Sequence, residues 1–258
     1  MSDDTLLTNR NGRVLELTLN RPDALNSFND ALYKKVGDAL NAAAQDDSIA
    51  CVLITGAGRA FSAGQALDEL GDGRTHEQRQ QDGFRPFIEA VESFPKPLIA
   101  AVNGLGVGIG FTILLHCDAV FMGESGRLRV PFVSLGLTAE AGSSQLLVDR
   151  IGWQKTADLL YRNLWMSADA AVADGIALAK VADADLLETA RTHAAEIAAM
   201  PIASLMATKQ LLLDARLDAT RAARIREDVA FDALVDGPAN KEALAAFAEK
   251  RAADFINL

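Results

Sequence analysis

The chain has 258 residues, enough for one large domain or for a core with a smaller appendage. Half of its residues are hydrophobic and 23% are charged, as in an ordinary globular protein, and its formal net charge is −10. This acidic balance argues against nucleic acid as a partner, because a phosphate backbone is bound through Lys and Arg.

The N-terminal residues 1–4 are acidic and lack the basic and then apolar pattern of a signal peptide. No apolar run reaches membrane-spanning length. Cys51 and Cys117 both lie in apolar runs, which predicts buried thiols rather than a disulfide. The sequence therefore predicts a protein of the reducing cytoplasm that does not enter a membrane.

Strands and helices alternate through the first half of the chain. Ser27 and Asp30 resemble a capping box that opens the first helix. Such alternation favours a mainly parallel sheet with crossover connections. The predicted elements are strands over 14–19, 50–55 and 98–102, a helix ending near residue 44 and a helix near 84–93.

The second half is predicted to be mostly helical. Short strands are expected over 118–122 and 128–130, and from about residue 142 the pattern is helical almost to the end, with breaks at Pro201 and at 237–238. We therefore predict a core over 1–198 and an appended helical region over 199–258. The polar stretch 71–82 has no strand signal and is interpreted as a mobile surface segment or part of a loose helix.

Two glycine-bearing turns each follow a predicted buried strand. The first is FSAGQ at 61–65, and the second is NGLGVGIG at 103–110, which opens a predicted helix over 109–116. Glycine lets backbone N–H groups approach a ligand closely. Two such turns side by side can aim two donors at one oxygen, the geometry of an oxyanion hole. The alternative is that these glycines only permit tight packing of strand and helix.

Neither of the common nucleotide-binding signatures is present. The third glycine of a dinucleotide fingerprint would fall on Ile109 or Phe111, and no Gly-Lys-Ser/Thr follows Gly56, Gly58 or Gly64. The glycine turns therefore do not support nucleotide-dependent redox or phosphotransfer chemistry.

No metal site or serine nucleophile is indicated either. His76, His116 and His193 have no metal-ligand spacing with cysteines or carboxylates, so they are expected to be structural or solvated. The pair at 143–144 (SS) lacks the Gly-x-Ser-x-Gly elbow, which favours hydroxyls at the start of a helix. We predict no metal and no redox cofactor.

Four segments of the chain resemble signature blocks of the crotonase (enoyl-CoA hydratase/isomerase) superfamily. They are LNRPDALN at 19–26, TGAGRAFSAG at 55–64, KPLIAAVNG at 96–104 and AAFAEKR at 245–251. The resemblance implies an α/β fold, a crotonase-like spiral of ββα units with a C-terminal helical trimerisation region, and hence a homotrimer or a dimer of trimers. It also implies an acyl-CoA thioester substrate, with CoA as part of that substrate and no separate cofactor.

By position in these blocks, the resemblance assigns two oxyanion donors to the backbone N–H groups of Gln65 and Ile109. The family usually has glycine at the second position, so Ile109 is a departure. A backbone N–H survives any side chain except that of proline, so the donor is retained while the isoleucine reshapes the acyl pocket. Ala66, just after the block at 55–64, replaces an aspartate that is usual there, and we give this change little functional weight.

The acidic side chains favour isomerisation over hydration. Hydratases of the family use two glutamates, and the corresponding positions here are Thr112 and Phe132, neither of which is a general base at neutral pH. Glu140 resembles in position the catalytic glutamate of the peroxisomal-type Δ3,Δ2-enoyl-CoA isomerases. One carboxylate can take a proton from C2 and return it at C4, and burial in an apolar pocket raises its pKa toward the working pH. The alternative role for Glu140 is to cap the helix that follows it.

Further positions match places where family members contact CoA, although a solvated face or ordinary packing is the competing interpretation of each. By resemblance they would contact a phosphate (Arg21), the adenine and pantetheine (Ala24, Leu25 and Ala63) and the outside of the bound CoA (Phe247 and Lys250).

The sequence as a whole favours a Δ3,Δ2-enoyl-CoA isomerase. One alternative is another crotonase-type reaction, including weak hydration with a substitute acid. The other is a CoA-thioester-binding protein without catalysis, in which Ile109 marks a decayed oxyanion hole.

Overall fold

The computed structural model describes residues 4–69 and 82–258, so most of the polar stretch predicted at 71–82, with His76, lies outside the described residues. The strands are β1 Leu6–Asn11, β2 Val14–Leu19, β3 Cys51–Gly56, β4 Ala60–Ser62, β5 Leu98–Val102, β6 Leu105–Val107, β7 Ala119–Gly123, β8 Arg127–Arg129, β9 Met166–Ser167 and β10 Ala179–Val181. The α-helices are α1 Asp30–Gln45, α2 Phe84–Glu92, α3 Ile109–Thr112, α4 Ser143–Ile151, α5 Trp153–Arg162, α6 Ala168–Ala173, α7 Leu186–Ala198, α8 Ile202–Asp214, α9 Leu217–Leu234 and α10 Pro238–Glu249.

The larger sheet has six strands in the order β1-β2-β3-β5-β7-β10. The hairpin of β1 and β2 is antiparallel, and every other pair in this sheet is parallel, as the alternation of strands and helices predicts. Its central strands are buried on both faces, which explains their continuous apolar sequences.

A second sheet has four strands in the order β4-β6-β8-β9. Successive strands of the chain alternate between the sheets: β3, β5 and β7 lie in the larger sheet, and β4, β6 and β8 follow them into the smaller one. The chain therefore winds as repeated strand–strand units. This winding places the ends of β4 and β6, where the two glycine turns lie, side by side.

Alternate residues of the central strands face two different apolar clusters. Val52 and Ile54 of β3 face one apolar cluster, which includes the aromatic side chains of α1 and α2, whereas Cys51 and Leu53 face a second cluster beneath α7. Cys51 and Cys117 are buried free thiols, as predicted.

The C-terminal helices pack on the same chain. Lys209 of α8 is buried and bonds both carboxylate oxygens of Asp118 at 2.7 Å, at the start of β7. Helix α9 contacts α4, and α10 contacts the 3-10 turn Val133–Leu135. The division at residue 198 remains a prediction. Among the helices described, none is long and apolar enough to cross a membrane.

Several local predictions are wrong. The cap of α1 is Asn29, whose Oδ1 accepts the Leu32 N–H at 3.0 Å, rather than Ser27, because the left-handed residues Leu25 and Asn26 delay the start of the helix. The helix expected over 109–116 is α-helical only to Thr112 and then tightens into a 3-10 turn. The sequence pattern does not predict the strands β1, β4, β6, β9 and β10. The last two are too short to show a two-residue period within a helical region.

Candidate active site

The two glycine turns touch each other. Strands β4 and β6 are parallel, with Ser62 opposite Gly106, so both turns leave the same edge of the small sheet. Gly64 has φ +92°, and a Cβ there would lie 2.7 Å from the Val107 carbonyl oxygen. A Cβ on Gly108, where φ is +53°, would lie 3.9 Å from the Cα of Gly64. Only glycine allows both the backbone angle and the close approach at position 64.

Hydrogen bonds around each turn leave one N–H group available. Phe28 donates to the Gly64 carbonyl at 2.7 Å and accepts from Ala66 at 2.8 Å, which fixes the backbone on both sides of Gln65. Ile109 opens α3, and the first N–H groups of a helix have no partner within it. For neither Gln65 nor Ile109 does the described part of the chain offer an acceptor to the backbone N–H. The turns can thus present two donors to one ligand oxygen.

A cavity of about 820 Å³ opens beside these turns. Its wall includes both apolar and charged side chains. Residues that line it include Gln65, Phe84, Ile109, Phe132, Leu137, Ala139, Glu140, Phe231 and Phe247. Its volume is within the range of small-molecule sites.

Glu140 faces this cavity from the loop before α4. It is partly buried, and the Thr112 hydroxyl lies 3.5 Å from its Oε1. Burial, followed by the nearby carboxylate of Glu227, raises the pKa of Glu140 to about 8, while the Thr112 hydrogen bond opposes that rise. The exposed part of Glu140 opens onto the cavity. A carboxyl with this pKa can both accept and donate a proton near neutral pH.

The cap of α4 comes from another helix. Glu227 of α9 is buried, and its two oxygens accept the N–H groups of Gly142 at 2.6 Å and Ser144 at 2.8 Å. The side chain of Glu140 makes no capping bond to α4. The alternative interpretation of Glu140 as the helix cap therefore does not describe this structure, because Glu227 has that role.

Sequence reasoning missed Glu227. It lies 85 residues after Gly142 within an ordinary amphipathic helix, so no local pattern connects the two. Burial also raises the pKa of Glu227, which opposes the effect of its two backbone donors.

His116 supports the loop rather than the chemistry. It is buried in the 3-10 turn after α3, and its Nε2 lies 2.8 Å from the carbonyl oxygen of Ala141, a residue with φ +59°. Burial lowers the pKa of His116 to about 3, so the ring is neutral and donates to that carbonyl. The ring thereby holds the backbone next to Glu140, in line with the predicted structural role.

The positions that the resemblance assigns to CoA contacts form two groups, those that line the cavity and those that do not. Ala24, Ala63 and Phe247 line the cavity together with Gln65, Ile109 and Glu140.

Arg21, Leu25 and Lys250 do not line it. Arg21 donates to the backbone oxygen of Ser27 at 2.5 Å, and Lys250 is exposed at the end of α10. The CoA contacts of all these residues remain predictions. Across the described ranges no group of three or more His, Cys, Asp or Glu residues is placed to hold a metal ion.

The chain is similar to known proteins over nearly its whole length. A sequence model of the enoyl-CoA hydratase/isomerase family matches residues 9–257. A 2,3-dehydroadipyl-CoA hydratase of Escherichia coli (strain K12) is 36% identical over 252 residues, 97% of this chain and 98% of that protein. A 1,2-epoxyphenylacetyl-CoA isomerase of the same strain is 34% identical over 220 residues, 81% of this chain and 84% of that protein.

A solved structure has the same fold over almost the entire length. The enoyl-CoA hydratase/isomerase from Pseudoalteromonas atlantica T6c superimposes with a TM-score of 0.92 at 34% identity, covering 98% of this chain and all of that one (100%).

Proposed function

The chain belongs to the enoyl-CoA hydratase/isomerase family, within the crotonase superfamily of enzymes, and from that premise we propose that it isomerises 3-enoyl-CoA thioesters to 2-enoyl-CoA thioesters. The observation that carries the proposal is the position of Glu140. Its carboxyl lines the cavity together with the Gln65 and Ile109 turns, and the hydroxyl of Thr112, which stands with Phe132 at the positions of the two hydratase glutamates, lies 3.5 Å from it.

The proposed reaction needs one base and one oxyanion site. The carboxylate of Glu140 removes a proton from C2, and the electron pair of that C–H bond moves toward the thioester carbonyl. The resulting dienolate oxygen accepts hydrogen bonds from the Gln65 and Ile109 N–H groups. Glu140 then returns the proton to C4, which leaves the double bond between C2 and C3. Atoms and electrons balance without a redox partner.

The raised pKa of Glu140 suits this task. A pKa of about 8 makes the carboxylate a stronger base than an exposed glutamate, and its acid form a donor at C4. Apolar side chains such as Ile109, Phe132 and Leu137 line the same cavity.

Hydration of a 2-enoyl-CoA is the second candidate. Relatives named as hydratases support it, and Thr112, at one of the hydratase glutamate positions, has its hydroxyl 3.5 Å from the Oε1 of Glu140. A hydroxyl can orient a water but does not deprotonate it at neutral pH, so Glu140 alone would have to serve as base and acid.

A direct comparison of both reactions tests the proposal. Purified protein is given a 3-enoyl-CoA and, separately, the 2-enoyl-CoA of the same chain length. We expect kcat/KM for isomerisation to exceed that for hydration by at least about a hundredfold, the usual contribution of one proton-transfer group. Faster hydration than isomerisation would identify a hydratase, and binding of both thioesters without turnover would identify a non-catalytic protein.

A further inference from the structure

Arg129 differs from the other arginines that line the cavity. Arg85 lies 3.6 Å from Asp228, Arg224 lies 3.1 Å from Glu92, and Arg251 lies 2.5 Å from Glu242. Within residues 4–69 and 82–258, Arg129 has no carboxylate oxygen within 4.0 Å of its guanidinium. A partly buried cation without a counter-ion is costly, which points to an anion supplied by a ligand.

The guanidinium of Arg129 is held in place by neutral groups. Its Nε donates to the Oδ1 of Asn163 at 2.6 Å and to the backbone oxygen of the same residue at 3.0 Å. Its Cζ lies 5.0 Å from the centre of the Trp165 ring, and Asn163 is fixed in turn by the Ser134 hydroxyl at 2.6 Å. All four side chains line the cavity. The two terminal amino groups of Arg129 have no acceptor among the described residues and can form a bidentate pair.

Arg129 lies close to the oxyanion turn. It ends β8, which pairs in parallel with β6 so that Arg129 is opposite Val107, two residues before Ile109. From the spacing of strands and residues, the backbone of Arg129 lies roughly 10 Å from that of Ile109. The Arg129 carbonyl accepts the Gly108 N–H at 2.9 Å, which ties the two segments together. Arg129 and Ile109 also line the same cavity, so an acyl chain bound by its thioester at the turn can reach the guanidinium.

We propose that Arg129 binds a carboxylate at the far end of the acyl chain, so that the preferred substrates are acyl-CoA thioesters of short dicarboxylic acids. This inference rests on the proposed function, because it takes the substrate to be an acyl-CoA thioester. The other arginines that line the cavity already have carboxylate partners, so the guanidinium of Arg129 is the one that can orient the chain. The acidic residues that line the cavity are Glu69, Asp82, Glu140, Glu227, Asp228 and Asp232.

The other source of an anion is a phosphate of CoA itself. In CoA the phosphates lie at the opposite end of the pantetheine arm from the thioester, farther from the carbonyl than a short acyl chain reaches. The proximity of Arg129 to the Ile109 turn therefore favours the acyl carboxylate.

Binding of saturated thioesters tests the inference without depending on turnover. Calorimetry with adipyl-CoA, hexanoyl-CoA and hexanoyl-pantetheine would be carried out on the wild type, Arg129→Gln and Arg129→Lys. The control is Arg85→Gln, which removes a cavity arginine that already has a carboxylate partner. We expect the wild type and the control to bind adipyl-CoA about 10- to 100-fold more tightly than hexanoyl-CoA, as for a charge-assisted hydrogen bond. Arg129→Gln should abolish this preference without weakening hexanoyl-CoA, and Arg129→Lys should keep part of it.

An undiminished preference for adipyl-CoA in Arg129→Gln would overturn the inference, and so would two other results. One is equal binding of adipyl-CoA and hexanoyl-CoA by the wild type. The other is an Arg129→Gln protein that binds both CoA esters equally less tightly but binds hexanoyl-pantetheine normally, which would assign Arg129 to a phosphate. If isomerase activity is absent and the adipyl-CoA preference is present, only the proposed reaction fails.

Discussion

Gly64 is the residue at which the two turns approach most closely. Its φ of +92° and the 2.7 Å between an added Cβ and the Val107 oxygen mean that alanine would push the turns apart. We expect Gly64→Ala to lower kcat/KM by about 100- to 1000-fold, the usual cost of losing one oxyanion donor. Gly12→Ala is the matched control, because Gly12 also has positive φ (+59°) but nothing within 4 Å of an added Cβ. Nearly equal activities of the two variants would argue against a role of these turns in catalysis.

At the scale of single residues, the resemblance indicated cavity positions such as Gln65, although Arg21, Leu25 and Lys250 from the same blocks do not line the cavity, and it gave no signal for positions outside its pattern. Gln65, Ile109 and Glu140 occur at fixed places in the resemblance, and the structure brings all three to one cavity. Arg129 and Glu227 lack such a signal, because their roles depend on side chains distant in the sequence, such as Asn163 for Arg129.

Helix α9 connects the C-terminal region to the candidate site through Glu227. Its carboxylate caps α4 and raises the pKa of Glu140 by like-charge repulsion, second to burial. Glu227→Gln removes that charge, so we expect the pKa of Glu140 to fall. The isomerase reaction requires the ionised form, and its pH–rate profile should therefore reach its plateau at lower pH than the value near 8 expected for the wild type.

Two further variants, one at Glu227 and one at the cap of another helix, separate the effect of charge from that of capping. Glu227→Asp keeps the charge, so its profile should remain close to that of the wild type even if the melting temperature drops. Ser167→Ala removes the cap of α6, where Ser167 accepts the Ala170 N–H at 3.2 Å, and should cost about 1 kcal/mol without moving the profile. An unshifted profile in Glu227→Gln would contradict the coupling of Glu227 to Glu140.

At the scale of elements, the pattern predicted α1 and α2 because each has one consistently buried face, and β3 and β5 because strands buried on both faces are continuous apolar runs. The strand predicted over 98–102 matches β5, and the helix predicted near 84–93 matches α2. The short strands β9 and β10 depend on pairing with β8 and β7, respectively, which no local pattern reveals.

At the scale of the whole molecule, large apolar side chains are exposed on the C-terminal helices. Leu211 and Leu212 of α8 are 72% and 60% exposed, and Ile225 and Val229 of α9 are 59% and 68% exposed. Such surfaces are typical of protein–protein contacts. They agree with the trimer that the resemblance implies, which remains a prediction.

Light scattering tests that assembly. We expect three or six times the monomer mass, and a lower mass for Leu211→Glu, because a charge at an apolar interface is costly. Leu178→Glu changes a leucine of similar exposure, 58%, outside the helical region and should leave the mass unchanged. A monomeric wild type would exclude the predicted trimer.

The central claim is that Glu140 moves the proton between C2 and C4, and turnover of a 3-enoyl-CoA by Glu140→Gln tests it most directly. The amide cannot accept the proton, so we expect kcat to fall by about 10²- to 10⁴-fold. The variant should fold, with a melting temperature at or above that of the wild type. Because burial raises the pKa of Glu140, ionisation of its carboxyl destabilises the folded wild type. The increase in melting temperature of Glu140→Gln over the wild type should therefore be larger at pH 9 than at pH 5. A folded Glu140→Gln protein that isomerises 3-enoyl-CoA at the wild-type rate would contradict the account.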